Sequence, residues 1–241
     1  VLAVTTGTFL ASAVLLRLGT RARPARARGT ALVAASLRGT RRLLADRRVR
    51  ALLLLAWVPP AFVVWSEALL TPYAAGIGAG PAGLGLLMCG MPVGAVASEA
   101  LVGSLLGPAG RSRLVRPVAV WACLPALGYA LHPSLPVALV CQVLTGVGIA
   151  YAMGLDGWFL AAVPPELRGA ALTLQTAGLM TAQGLGMAAA GAAAELLPAH
   201  RVVALAGAVG TTAVLATLAY LRRTPGLADR THPPTVAEAS T

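Results

Sequence analysis

Lysine is absent from this 241-residue chain; all 19 of its basic residues are arginine. Charge of either sign is scarce, at 11% of residues, against about 25% in soluble domains. A water-facing globular surface is therefore excluded for most of the chain. Aromatic residues make up only 5%, which leaves few platforms for stacking bases. The net charge of +11 thus does not point to a nucleic-acid partner. Cys89, Cys123 and Cys141 lie in apolar runs without a CxxC pair, which excludes a disulfide framework or a zinc knuckle and leaves small buried hydrophobes. No HExxH, Walker A or Ser/His/Asp set occurs, so neither catalytic residues, a bound metal nor a cofactor is expected, and the chain does not read as an enzyme. The run Gly78 to Gly83 matches GxGxxG, but it contains a proline and follows no strand, so it is not a dinucleotide site. His132 and His200 fall in separate turns and read as ordinary surface histidines.

What the chain has in abundance is long apolar sequence. Its mean hydropathy is +0.78 and 57% of it is hydrophobic. A spanning helix needs about 20 apolar residues, and the runs are too long and too unalternating for strands. The expected fold is an all-α polytopic membrane protein: one six-helix bundle preceded by one further transmembrane helix. The expected organisation is a transmembrane helix over 1–18, an arginine-rich cytoplasmic loop over 19–50, a six-helix bundle over 51–222 and a disordered cytoplasmic tail over 223–241. The six spans are placed at about 51–71, 83–106, 114–131, 136–163, 169–194 and 202–221. Ala31 to Leu44 reads as a short helix lying along the headgroups.

Orientation follows from arginine. Eleven arginines lie between Arg17 and Arg50, against the single acid Asp46. Such a block cannot enter hydrocarbon, and cationic loops collect on the cytoplasmic side. With alternating spans, 18 arginines fall on that side and one, Arg201, on the other. The expected location is the cell membrane, with a cytoplasmic C-terminus. No basic region precedes the first apolar run, so it does not read as a signal peptide. Beginning on Val1, the chain is expected to be a fragment of a longer protein or to start at an unusual codon.

Ionisable groups inside apolar helices carry the sharpest signal, because burying them in lipid is costly. Glu67, Glu99 and Asp156 are such groups. Glu67 either snorkels to the outer interface or serves a pathway. Glu99 either makes an internal hydrogen bond near the inner interface or does the same. Asp156 is harder to dismiss, and at 100° per residue it shares a face with Gln142, Thr145 and Ile149. In the 169–194 span, Thr173, Thr176, Met180, Gln183 and Met187 fall within an arc of about 80°. That stripe either lines a wet cavity or provides polar glue between helices. Gly90/Gly94 and Gly103/Gly107 have GxxxG spacing and read as packing positions.

These features resemble the C-terminal half of a major facilitator superfamily (MFS) transporter. The loop with Gly103, Gly107, Gly110, Arg111 and Arg113 is similar to the family's glycine-and-basic loop motif between helices 8 and 9, with Gly107 standing where the family has an acid. The run Val163 to Gly169 resembles the loop entering helix 11, and a long basic loop followed by six spans matches the family order. The resemblance implies that Val1 to Leu16 is helix 6 and that the later spans are helices 7 to 12. Glu67, Glu99, Asp156 and Gln183 then fall on helices 7, 8, 10 and 11, which in the family approach the central cavity.

The implied function is secondary active transport of a small molecule, as proton-linked efflux, with the lipid bilayer, protons and a missing N-terminal six-helix half as partners. The pathway candidates are Glu67, Asp156, Glu99, Gln142, Thr176 and Gln183. The alternative is a membrane-spanning permease subunit that works with a partner such as an ATPase, for which Ala31 to Leu44 is the one candidate coupling segment.

Overall fold

The computed structural model describes residues 39–223, together with Ala11, Ser12, Val14, Leu15 and Arg17. Contacts divide the chain into two units, Val1–Arg38 and Gly39–Thr241. The five described residues of the first unit are helical and exposed. The rest of the expected first span, most of the arginine-rich loop and the expected tail lie outside the described residues.

The described residues of the second unit form helices joined by short turns, with no strand among them. Its helices are α1 (Arg47–Ala68), α2 (Leu70–Gly76), α3 (Pro81–Leu105), α4 (Pro108–Trp121), α5 (Leu135–Val147), α6 (Tyr151–Ala162), α7 (Arg168–Ala194) and α8 (Ala199–Arg222). Helix α4 continues as 3₁₀ turns over Leu124–Leu131, and a 3₁₀ turn at Gly148–Ala150 joins α5 to α6. Five stretches among the described residues are long and apolar enough to cross a membrane: Arg47–Ala68, Pro81–Leu105, Pro108–Leu131, Leu135–Ala162 and Ala199–Arg222. Helix α7, at 27 residues, is long enough, but its glycines, threonines and glutamines keep it outside that set.

The start of α1 shows how the polar and apolar parts meet. Hydropathy places the start at Ala51, yet the helix begins at Arg47. The Asp46 carboxylate accepts hydrogen bonds from the amides of Arg48 (2.7 Å) and Val49 (3.1 Å). It thereby satisfies two of the four amides that a helix start leaves unpaired. Residues 39–45 before it are also helical. There Leu43 is only 2% exposed and packs into the core with Leu52, Leu55 and Leu221. The expected headgroup helix is corrected on that point: this leucine is buried in protein, because α1 and α8 offer it an apolar partner. Arg50 ties the same end together, donating to the Tyr220 hydroxyl (3.0 Å) and to the Leu44 carbonyl (3.1 Å).

Helix pairings follow one rule. The principal neighbours are α3 with α5, α1 with α7, α1 with α8, α4 with α6, and Leu124–Leu131 with α8. Exchanging the first three spans for the last three maps this set of pairings onto itself. The closest crossings are built on glycine. A Cβ on Gly94 would collide with the Val143 carbonyl, and one on Gly146 with the Met91 carbonyl, so α3 and α5 meet backbone to backbone. Gly186 of α7 has the same relation to the Ala61 carbonyl of α1, and Gly178 receives the Trp57 ring. Without side chains between them, helices approach closely and gain dispersion contact that lipid alone does not drive. Gly90 and Gly94 thus lie at a crossing. Gly107 meets nothing within 4 Å; the second GxxxG pair is not a packing seam, because the chain leaves helix at Leu106.

Cysteine needs one correction. Cys123 and Cys141 are buried, but Cys89 is exposed on α3. It lies beside Met88, Val93 and Val96 on an apolar face that the described residues do not cover.

Candidate functional site

Two consecutive prolines open the middle of α1. Pro59 and Pro60 have no amide hydrogen, so the carbonyls of Leu55 and Ala56 lose their helical partners. The hydroxyl of Tyr151, at the start of α6, donates to the Leu55 carbonyl at 3.3 Å and replaces the missing bond. Ala56, Pro59 and Pro60 line a cavity of about 300 Å³ between α1, α6 and α7. Met91 of α3 and Ala122, which follows α4, complete the wall.

Besides Tyr151, whose hydroxyl is taken up by the Leu55 carbonyl, the wall is apolar except for four side chains: Glu67 of α1, Asp156 of α6, and Gln175 and Gln183 of α7. The Gln175 amide donates to the Asp156 carboxylate at 3.0 Å. The backbone carbonyl of Gln175 in turn accepts from the Trp57 indole at 2.9 Å, so α7 is held to α1 and α6 at one level. Leu55 and Tyr151 lie level with each other on antiparallel helices. At 1.5 Å per residue, Glu67 and Asp156 are then about 25 Å apart along the axis. Gln183 lies about 12 Å from Gln175 along α7 on the same scale. The two carboxylates therefore occupy opposite ends of an elongated cavity and do not form a pair. Polar groups set at separate levels along an apolar wall suit an amphipathic guest or a file of waters better than a compact reaction centre.

The remaining sequence candidates fall elsewhere. Glu99 is exposed on α3 and does not line the cavity. Gln142 is 1% exposed at the α3–α5 crossing, with neither amide atom hydrogen-bonded. Thr176 is exposed, next to the cavity-lining residue Gln175. The helical register joining Asp156 to Gln142 is broken by the 3₁₀ turn at Gly148–Ala150. Three residues at 120° instead of 100° add about 60° of rotation. Ile149 and Asp156 stay on the cavity; Gln142 and Thr145 do not.

The stripe Thr173, Thr176, Met180 and Met187 is exposed along α7. The cavity instead meets the adjoining line Gln175, Leu179 and Gln183. Gln175 is the residue that sequence reasoning missed. Its signal was its four- and eight-residue spacing to Leu179 and Gln183, one step round the helix from the stripe.

In the loop motif, Arg111 does structural work. Its guanidinium donates to the carbonyls of Gly103 (2.7 Å) and Leu106 (2.9 Å), closing the C-terminal end of α3. A cation there also meets the negative end of the helix dipole. Gly107 is the N-cap of α4, Gly110 packs on Leu106, and Arg113 lies on the first turns of α4. Among the described residues no group of three or more His, Cys, Asp or Glu side chains is placed to hold a metal ion. No family model, curated protein or solved structure matches the chain.

Proposed function

We propose that this chain is the C-terminal half of an MFS-like secondary active transporter, carrying a small molecule across the cell membrane in exchange for protons, in the direction of efflux. The observation that carries the reading is the cavity. Four of the five apolar, span-length stretches, together with α7, line a space of about 300 Å³ into which two carboxylates and two carboxamides are set. Both carboxylates are exposed to the cavity, and an ionisable group within a span-length apolar helix marks a candidate pathway. Exposed apolar and threonine-bearing faces on α3 and α7 support the second half of the proposal. They are where another helical unit would pack to close the cavity, as alternating access requires. The self-mapping helix pairings support a repeat-built carrier for the same reason.

On this reading Asp156, held by Gln175, and Glu67, at the opposite end, exchange protons as the cavity opens to alternate sides. The two sites are too far apart to share one proton, so each is tested separately. In the complete protein reconstituted into vesicles, Glu67→Gln or Asp156→Asn abolishes flux driven by a pH gradient, while substrate exchange without a gradient persists in at least one of them. Unchanged gradient-driven flux in both variants rejects the assignment.

A further inference from the structure

At the end of the unit opposite Arg47, two histidines that are 68 residues apart in sequence face each other. The imidazoles of His132, in the turn before α5, and His200, in the first turn of α8, have centroids 4.5 Å apart with planes at 67°. His132 is exposed and His200 partly so. They border a cleft of about 320 Å³ whose other walls include Pro72, Tyr73, Leu197 and Pro198.

His132 is held in place by two independent features. It is the one non-glycine residue with a positive φ among the described residues (φ 49°, ψ 61°). That left-handed backbone is uncommon for a residue other than glycine, although histidine, like asparagine, adopts it more readily than most. Tyr73 secures the turn: its hydroxyl donates to the Pro133 carbonyl, and its ring meets the His132 imidazole edge-on at 6.4 Å. A residue kept in a strained conformation by its surroundings points to a role for the side chain that the strain positions.

We infer that His132 and His200 form a two-nitrogen site for a borderline-soft divalent transition-metal ion, such as Zn²⁺ or Cu²⁺, completed by water. With metal–nitrogen bonds of about 2.0–2.1 Å and a tetrahedral angle, two imidazole centroids lie about 5 Å apart. The present rings meet edge to face at 4.5 Å, so binding an ion requires one ring to turn until a nitrogen of each points to a common position. No carboxylate lines the cleft among the described residues. Imidazole nitrogen without oxygen donors favours zinc and copper over magnesium and calcium. The bound ion ties the 131–135 turn to the 194–199 turn, cross-linking the third and fourth spans to the last. Such a site forms whether or not the unit carries a substrate.

The test uses the full chain without a histidine tag, carrying His232→Gln to remove the third histidine. Cu²⁺ binding is read by electron paramagnetic resonance and by titration, and Zn²⁺ is added during thermal unfolding. The parent binds one Cu²⁺ with two nitrogen ligands, and Zn²⁺, but not Mg²⁺, raises its midpoint. Loss of an outer partner of a metal ligand already costs 10- to 100-fold in affinity, so loss of a ligand itself weakens binding by about tenfold or more. His200→Gln and His132→Asn each do so, leave a one-nitrogen spectrum and abolish the Zn²⁺ shift. Asparagine tolerates the left-handed backbone, and the midpoint without metal checks that each variant folds. A one-nitrogen spectrum in the parent, or equal affinity in parent and single variants, overturns the site.

Discussion

Asp46 is the one acid in a block of eleven arginines. Its carboxylate is used on the backbone, capping α1, rather than on any of the guanidinium groups beside it in sequence. Replacing it with alanine leaves two amides of α1 without that acceptor, which costs about 1 kcal/mol. We expect Asp46→Ala to lower the thermal midpoint in detergent, and Asp46→Asn to restore most of the loss because asparagine caps as well. A fall of equal size in both variants would show that charge, and not capping, is what matters there. The cap was hidden in sequence because apolar content begins at Ala51, four residues after the helix does. Gln175 was hidden for a related reason. An arc of polar residues on a helix can be read from spacing, but which edge of the arc faces protein depends on the neighbouring helices. Asp156 and Glu67 were legible because a carboxylate in an apolar run stands out wherever its helix is packed. The meeting of His132 and His200 was not legible, since nothing local joins two turns so far apart.

At the scale of the element, glycine decides where helices touch. Helix α7 holds a matched pair: a Cβ on Gly186 would collide with the Ala61 carbonyl, while Gly184 meets nothing within 4 Å. Gly186→Ala forces α7 away from α1 and costs about 1–3 kcal/mol, as overpacking does. Gly184→Ala removes a flexible residue from a helix interior and is neutral or stabilising by about 0.5–1 kcal/mol. Thermal unfolding of the two variants side by side gives opposite signs; two equal losses would mean that α7 does not pack on α1 through this seam. The helices themselves could be read from the apolar runs, mostly to within a few residues, because length and hydropathy suffice for a span. Their breaks could not. Proline marks a possible kink in α1, but only the packed structure supplies Tyr151 for the orphaned Leu55 carbonyl. Nothing in the composition of Gly148–Ala150 announces a 3₁₀ turn.

At the scale of the whole second unit, the turns alternate between two ends. Arg50, Arg111 and Tyr220 gather at one end, and Tyr73, His132 and His200 at the other. Thr71, Leu131 and Ala194 all fall at the histidine end. In the proposed orientation, the excess of arginine at the opposite end places that end in the cytoplasm. Reporter fusions after Thr71, Leu131 and Ala194 are therefore expected to report the outside in all three cases, and two cytoplasmic readings would overturn the orientation. The all-helical class and the alternation of ends were legible because both depend on sums over many residues. The cavity was legible only as its charged members. Its shape depends on the two prolines of α1 and the backbone contacts of α7, which no local pattern encodes.

Trp57 offers a practical consequence. Its indole is seated on Gly178 and bonded to the Gln175 carbonyl, one residue away from the cavity lining on each helix. An indole's emission responds to the polarity and hydrogen bonding around it, so this ring is a built-in optical gauge of whatever enters beside Asp156. With the other three tryptophans changed to phenylalanine, its colour is expected to shift when a molecule occupies the cavity, and an unchanged colour on adding a molecule means that it does not enter beside Asp156.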